Sequence, residues 1–237
     1  MRRALSALAS VLLLCSCSGG ACRETITTDE FETDYSTVYA EVISFDGMEN
    51  KEYESELNLA IESDVGAAVN EFDALAIEAS ENLPAGVKSA FKVTQEVKKN
   101  KDGFLSFVES HYIYTGGAHG STSWYPRNID ICSDEPHPLA LAELFDDDGY
   151  RETINRLIDE LIEKDPQKYS GLWEEPHINA ENENNYYITD EELVIFFPPY
   201  TLSYYAKGFV EFPIRLGEVE GMLKEEYRRL VPQRESG

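Results

Sequence analysis

The sequence predicts an α+β fold: a mostly antiparallel sheet with a long helix in the N-terminal half, a central helix and a C-terminal helix. Three observations carry this expectation. Strand-like runs follow one another through hairpin loops instead of alternating regularly with helices, which argues against a doubly wound sheet. Three stretches, at 51–80, 150–164 and 219–230, place apolar residues at helical spacing. No repeat of fixed period organises the chain.

Tyr35 to Phe45 alternates with Val and Ile and reads as a strand. Residues 51–80 carry Leu57, Ile61, Val65, Val69, Phe72 and Leu75/Ala76 on one helical face, and Asn82-Leu-Pro-Ala-Gly86 ends that helix by turn chemistry. Ser89–Lys98 and Phe104–Tyr114 are strand runs joined by Lys99-Asn-Lys-Asp-Gly103, a good hairpin loop. Along the second run, Phe104, Val108, Tyr112 and Tyr114 fall on one face while Leu105, Phe107 and Ile113 fall on the other. A strand apolar on both sides belongs in the middle of a sheet. Ser123–Ile131 reads as a further strand. Ile154, Leu157, Ile158, Leu161 and Ile162 then restore helical spacing over 150–164. Tyr186–Ile188, Leu193–Phe197 and Phe209–Ile214 are the remaining strands. Val219, Met222, Leu223, Tyr227 and Leu230 mark the last helix.

The first residues read as an address. Arg2 and Arg3 precede a short apolar run, Ala4 to Leu14, of signal-peptide length. The run ends in Leu14-Cys15-Ser16-Cys17, which resembles a bacterial lipobox, and Cys17 fits its register best as the acylated residue. Cys15 would need the bulky Leu14 before it, and Cys22 would need Gly19 at the Leu position. Plain secretion with cleavage at Ser16 or Ala21 is the alternative. On this reading 1–16 is a signal peptide, 17–34 an acidic tether without a period, and 35–230 the folded domain, divisible at residue 86. Ser18 after the lipidated cysteine implies, by resemblance to the usual sorting rule, an outer-membrane destination in a two-membrane cell. Cys22 and Cys132 remain; an oxidising envelope permits a bridge between them, and two separate thiols are the alternative.

The chain holds 237 residues with 20 Lys+Arg against 45 Asp+Glu, a net charge of −25. Removing 1–16 leaves 18 basic and 45 acidic residues, or −27. Such a surface is repelled by phosphate backbones, so nucleic acid is excluded as a partner. No run of 18 or more apolar residues offers an ordinary membrane span, so the expected membrane contact is the lipid anchor alone.

Catalytic motifs are absent. The histidines at 111, 119, 137 and 177 form no metal signature, and no paired Cys-x-x-Cys exists, so neither a metal nor a cofactor is expected. Asp146-Asp147-Asp148-Gly149 lacks the alternating ligand spacing of a calcium loop; acidic residues ahead of a helix are explained by its positive N-terminal end. A Ser121/His119/Asp130 triad can be drawn, but no Gly-x-Ser-x-Gly elbow supports it. Two stretches stand out instead. In Tyr112-Ile-Tyr-Thr-Gly-Gly-Ala-His-Gly120, Gly116, Gly117 and Gly120 mark a turn needing positive φ or close approach, with His119 a candidate contact. In Leu193-Val-Ile-Phe-Phe-Pro-Pro-Tyr-Thr-Leu-Ser-Tyr-Tyr-Ala-Lys-Gly208, two prolines stop a strand and Tyr200, Tyr204 and Tyr205 follow in a loop. Loop tyrosines offer contact area at small entropic cost.

These two motifs, with Leu-x-Glu-Leu-Phe at 141–145 between them, resemble the extracytoplasmic domain of RsiV-type anti-sigma factors. They are similar as well to the non-catalytic N-terminal region of PdaC-type peptidoglycan deacetylases. The resemblance spans roughly 35–230. It implies an α+β fold and, from the RsiV type, lysozyme as ligand. A sigma-binding segment, a membrane span and a deacetylase domain are not recognised here. The expectation is a non-enzymatic binding module for a basic lysozyme-like hydrolase, with peptidoglycan fragments as the rival ligand. The competing class is a hydrolase centred on His119.

Overall fold

A computed structural model describes residues 3–4, 11–12 and 21–233. The signal peptide cleavage site and Cys17 lie outside the described residues. The chain forms two compact units, one from Met1–Glu96 and Val108–Tyr125, the other from Val97–Phe107 and Pro126–Gly237. The expected division at residue 86 is therefore replaced by one that crosses three long strands, each contributing one half to either unit.

The first unit opens with β1 (Arg23–Glu32), which pairs antiparallel with β2 (Ser36–Asp46) from Arg23↔Asp46 to Glu32↔Thr37. Residues 3–4 and 11–12 make two-residue antiparallel pairs with β1. Helix α1 (Lys51–Ser80) follows and leads into β3 (Ser89–Lys101), parallel to β2 with Ser36↔Ser89 in register. A parallel pair needs such a crossover helix. Asn50 starts α1: its Oδ1 accepts from the Tyr53 amide at 3.0 Å, while Glu54 Oε2 accepts from the Gly47 and Met48 amides, both at 2.7 Å. The expected stripe is buried at Leu57, Ile61, Val65 and Phe72, with Val69 partly covered. Phe72 stacks on Phe91 of β3 with ring centroids 5.1 Å apart.

Strands β3, β4 (Phe104–Tyr114) and β5 (Ser121–Asp130) complete the sheet in the order β1-β2-β3-β4-β5. Residues 104–109 of β4 are all buried, so both faces are covered there. In the second unit, β6 (Tyr186–Ile188), β7 (Glu192–Phe197) and β8 (Val210–Arg215) form a three-stranded antiparallel sheet in the order β8-β7-β6. Helix α2 (Tyr150–Lys164) buries Ile154, Leu157 and Ile158 in the same apolar core as Ile195 and Phe212. A buried polar link runs through this unit. Ser106 Oγ donates to Asn128 Oδ1 at 2.7 Å and accepts from the Ile188 amide at 3.0 Å, and Asn128 Nδ2 donates to the Tyr186 carbonyl at 3.0 Å.

Two expectations are corrected. Residues 23–32, read as tether, are strand β1. Its side chains are mostly exposed or half-exposed, so no apolar alternation betrays it, and its acidic residues suit a sheet margin that must not aggregate. The expected C-terminal helix is instead a four-residue turn, α3 (Leu216–Val219), and two 3-10 turns at Glu220–Met222 and Glu225–Leu230. Between them the backbone pairs with the chain near Phe145: the Asp146 amide donates to the Met222 carbonyl at 3.0 Å and the Lys224 amide to the Leu144 carbonyl at 3.0 Å. Those bonds replace helical ones, although Val219, Leu223, Tyr227 and Leu230 are buried as expected.

Candidate functional site

In the second unit β7 ends at Phe197, and Pro198-Pro199 turn the chain outward. Tyr200 then takes φ 69°, a left-handed conformation unusual for a bulky residue. Its side chain is 60% exposed and that of Tyr204 56%, while Tyr205 is half-buried with its ring centroid 5.6 Å from that of Tyr200. The sequence-predicted tyrosines therefore share one loop, two of them outward.

The structure adds Trp173, 54% exposed. Its amide donates to the Leu202 carbonyl at 3.0 Å and its Nε1 to the Thr201 carbonyl at 3.3 Å; Ser203 Oγ donates to the Gly171 carbonyl at 3.0 Å. These bonds stitch the tryptophan loop to the tyrosine loop. Beneath them Leu202 and Ser203 are buried. Glu174 and Glu175, both exposed, follow Trp173. The signal in the sequence was a tryptophan between Gly171 and Pro176 with no helical or strand period around it.

The chain after Trp173 is fastened to α2. Ile178 is held by the side chain of Asn155, and Arg151 grips Glu183 through Nε at 2.6 Å and Nη2 at 2.8 Å. Tyr150 donates to the same carboxylate at 2.6 Å. The Arg151 guanidinium holds the Glu183 carboxyl below its ordinary range despite burial. Desolvation and that carboxylate push the Tyr150 phenol well up.

In the first unit the glycine turn is a steric device. Gly116 has φ 114° and Gly117 φ 91°. A Cβ on Gly116 would meet Leu83 Cδ2 at 2.8 Å, and one on Gly120 would sit 2.5 Å from the Tyr112 ring and 2.6 Å from the Ile113 carbonyl oxygen. The turn borders a groove of about 530 Å³ lined by Leu75, Glu78, Leu83, Ile113 and Gly117 among others. His119 is exposed, and its Nδ1 donates to the Gly120 carbonyl at 2.8 Å. Of the other triad candidates, Asp130 accepts from Arg229 Nη2 at 2.7 Å and from the Cys132 amide at 3.0 Å.

The acidic run before α2 serves that helix: Asp147 Oδ1 accepts from the Gly149 amide at 2.8 Å and Asp148 pairs with Arg151 at 3.3 Å. Among the described residues no group of three or more His, Cys, Asp or Glu could hold a metal ion. The structure draws no bridge between Cys22, which is buried, and Cys132, which is exposed.

Residues 29–122 match the family model described as Deacetylase PdaC, and residues 142–217 match that of a protein of unknown function, DUF3298. No curated protein matches the chain. Among solved structures, a DUF3298-family protein of Bacteroides fragilis superimposes with a TM-score of 0.67 at 17% identity, over 90% of this chain and 98% of that one. A DUF3298-family protein of Pseudomonas aeruginosa gives a TM-score of 0.55 at 15% identity, over 96% and 98%. At such identities the likeness speaks for the fold. The chain is thus similar to PdaC over 29–122 and to DUF3298 over 142–217, which is consistent with the PdaC-like, RsiV-like domain type that its two motifs resemble.

Proposed function

We propose that the protein is a cell-envelope lipoprotein, acylated at Cys17, that captures a cationic wall-directed protein of the lysozyme kind without processing it. The observation that carries this reading is the outward aromatic set Trp173, Tyr200 and Tyr204, held on stitched loops in a strongly acidic chain. Exposed Trp and Tyr on rigid backbone are the residues that dominate binding hot spots, and a charge of −27 would speed encounter with a basic partner. The motif resemblance to the RsiV type supplies the ligand class by analogy alone. Binding is favoured over hydrolysis because Asp130, the carboxylate of the triad that can be drawn, is engaged by Arg229 and the Cys132 amide, and the sequence carries no recognised catalytic motif.

Among the described residues no helix is long and apolar enough to cross a membrane, and the Leu14-Cys15-Ser16-Cys17 register supports the anchor. Metabolic labelling with a palmitate analogue should mark the wild type and not Cys17→Ala; equal labelling of both removes the assignment to Cys17. Titration calorimetry of residues 18–237 against c-, g- and i-type lysozymes tests the ligand, and at least one should give saturable heat. Silence with all three alongside binding to purified muropeptides transfers the assignment to peptidoglycan fragments.

A further inference from the structure

With β1 starting at Arg23, the chain between the anchor and the fold is short. Cys22 is 2% exposed, and a Cβ on Gly47 would lie 4.0 Å from its Cα. Five peptide steps separate Cys17 from Cys22, at most about 18 Å of extended chain. A tether running to residue 34 would have reached about 60 Å. Resting on the acylation of Cys17, we propose that the end of the first unit formed by Arg23, Gly47, Glu49 and Lys51 lies against the lipid headgroups that hold the anchor, with α1 standing away from them.

The topology defines that end. β2 runs toward it, since Asp46 pairs with Arg23. α1 begins there under its Asn50 cap and runs back about 45 Å over its 30 residues. A short tether alone would still let α1 lie flat on the bilayer, but charge opposes this. Beyond Glu54 the helix carries Glu56, Glu62, Asp64, Glu71, Asp73 and Glu78 and no Lys or Arg. An anionic lipid surface repels that face. At the anchored end the acids are offset by two exposed cations: Arg23 and Lys51 pair with Asp46 at 3.6 and 3.5 Å, and Lys51 pairs with Glu54 at 2.9 Å. The groove bordered by Leu75, Leu83 and Gly117 lies at the opposite end of α1, and is thereby presented away from the membrane.

The test uses the full acylated protein in vesicles of phosphatidylethanolamine and phosphatidylglycerol with a quencher on the lipid headgroups. A fluorophore is placed on Glu49→Cys or on Glu81→Cys, each exposed, in a Cys132→Ser background. Strong quenching at 49 and near-background quenching at 81 is expected. Inserting twenty Gly/Ser residues after Gly20 should bring 49 down toward 81. Equal quenching at both sites, or stronger quenching at 81, overturns the orientation while mass spectrometry still shows the lipid. A protein without lipid overturns the anchor reading and this inference with it.

Discussion

Tyr200 concentrates the argument at the residue scale, because a left-handed backbone costs a bulky side chain roughly 1–2 kcal/mol and its ring is largely in solvent. Tyr200→Gly should therefore leave unfolding free energy unchanged or raise it by up to about 1 kcal/mol. The same variant should weaken ligand binding by at least about 2 kcal/mol, roughly 30-fold. Chemical denaturation beside calorimetry separates the two effects; a stability loss above about 1 kcal/mol would make the ring a support of its loop. The glycine turn shows the opposite balance. Gly120→Ala must push a methyl into the Tyr112 ring and the Ile113 carbonyl, so it should cost about 1–3 kcal/mol. His119→Ala should stay within about 0.5 kcal/mol, as exposed substitutions do. Urea titration of both variants checks the contrast. The tyrosines and the turn were legible because Pro-Pro and Gly-Gly break a period abruptly. Trp173 was not, since its meaning depends on hydrogen bonds to Thr201 and Leu202, far away in sequence.

Elements were legible in proportion to how one-sided their burial is. Helix α1 buries Leu57, Ile61, Val65, Phe72 and Ala76 along one stripe although Leu59, Leu75 and Ile77 stay exposed, and β4 is apolar on both faces, so each announces its period. Phe72→Ala removes the ring stacked on Phe91 and should cost about 3–5 kcal/mol of unfolding free energy. A change below about 1 kcal/mol would mean the stripe is not core. Strand β1 was missed because a half-exposed acidic strand has the composition of a tether, and only its ten-residue pairing with β2 distinguishes it. The last segment reads as one helix because 3-10 turns and α-turns bury nearly the same positions. The loop after Trp173 depends on Glu183, whose carboxyl is held low chiefly by Arg151. Protons bind this group more readily in the unfolded chain, so its contribution is complete above the ordinary value of 4.5 and is lost as pH falls through the lower folded value. Glu183→Gln should destabilise by about 1.5–3 kcal/mol at pH 7, with the gap to wild type closing in acid below pH 4.5. A gap independent of pH would remove Glu183 from that role.

For the whole molecule, the proposed binding divides its labour between charge and aromatic surface: the acids would set the encounter rate, and Trp173, Tyr200 and Tyr204 would set how long the complex lasts. Screening length falls from about 10 Å at 0.1 M salt to about 3 Å at 1 M. Association with a basic partner should slow across that range, while truncation of an aromatic anchor should act mainly on dissociation. The most direct measurement is surface-captured kinetics of c-type lysozyme binding to the acylated wild-type protein and to Trp173→Ala at 0.1 M salt. The account predicts saturable binding to the wild type and a dissociation rate at least about 30-fold faster in Trp173→Ala. Equal dissociation rates, or no binding by the wild type, would contradict it.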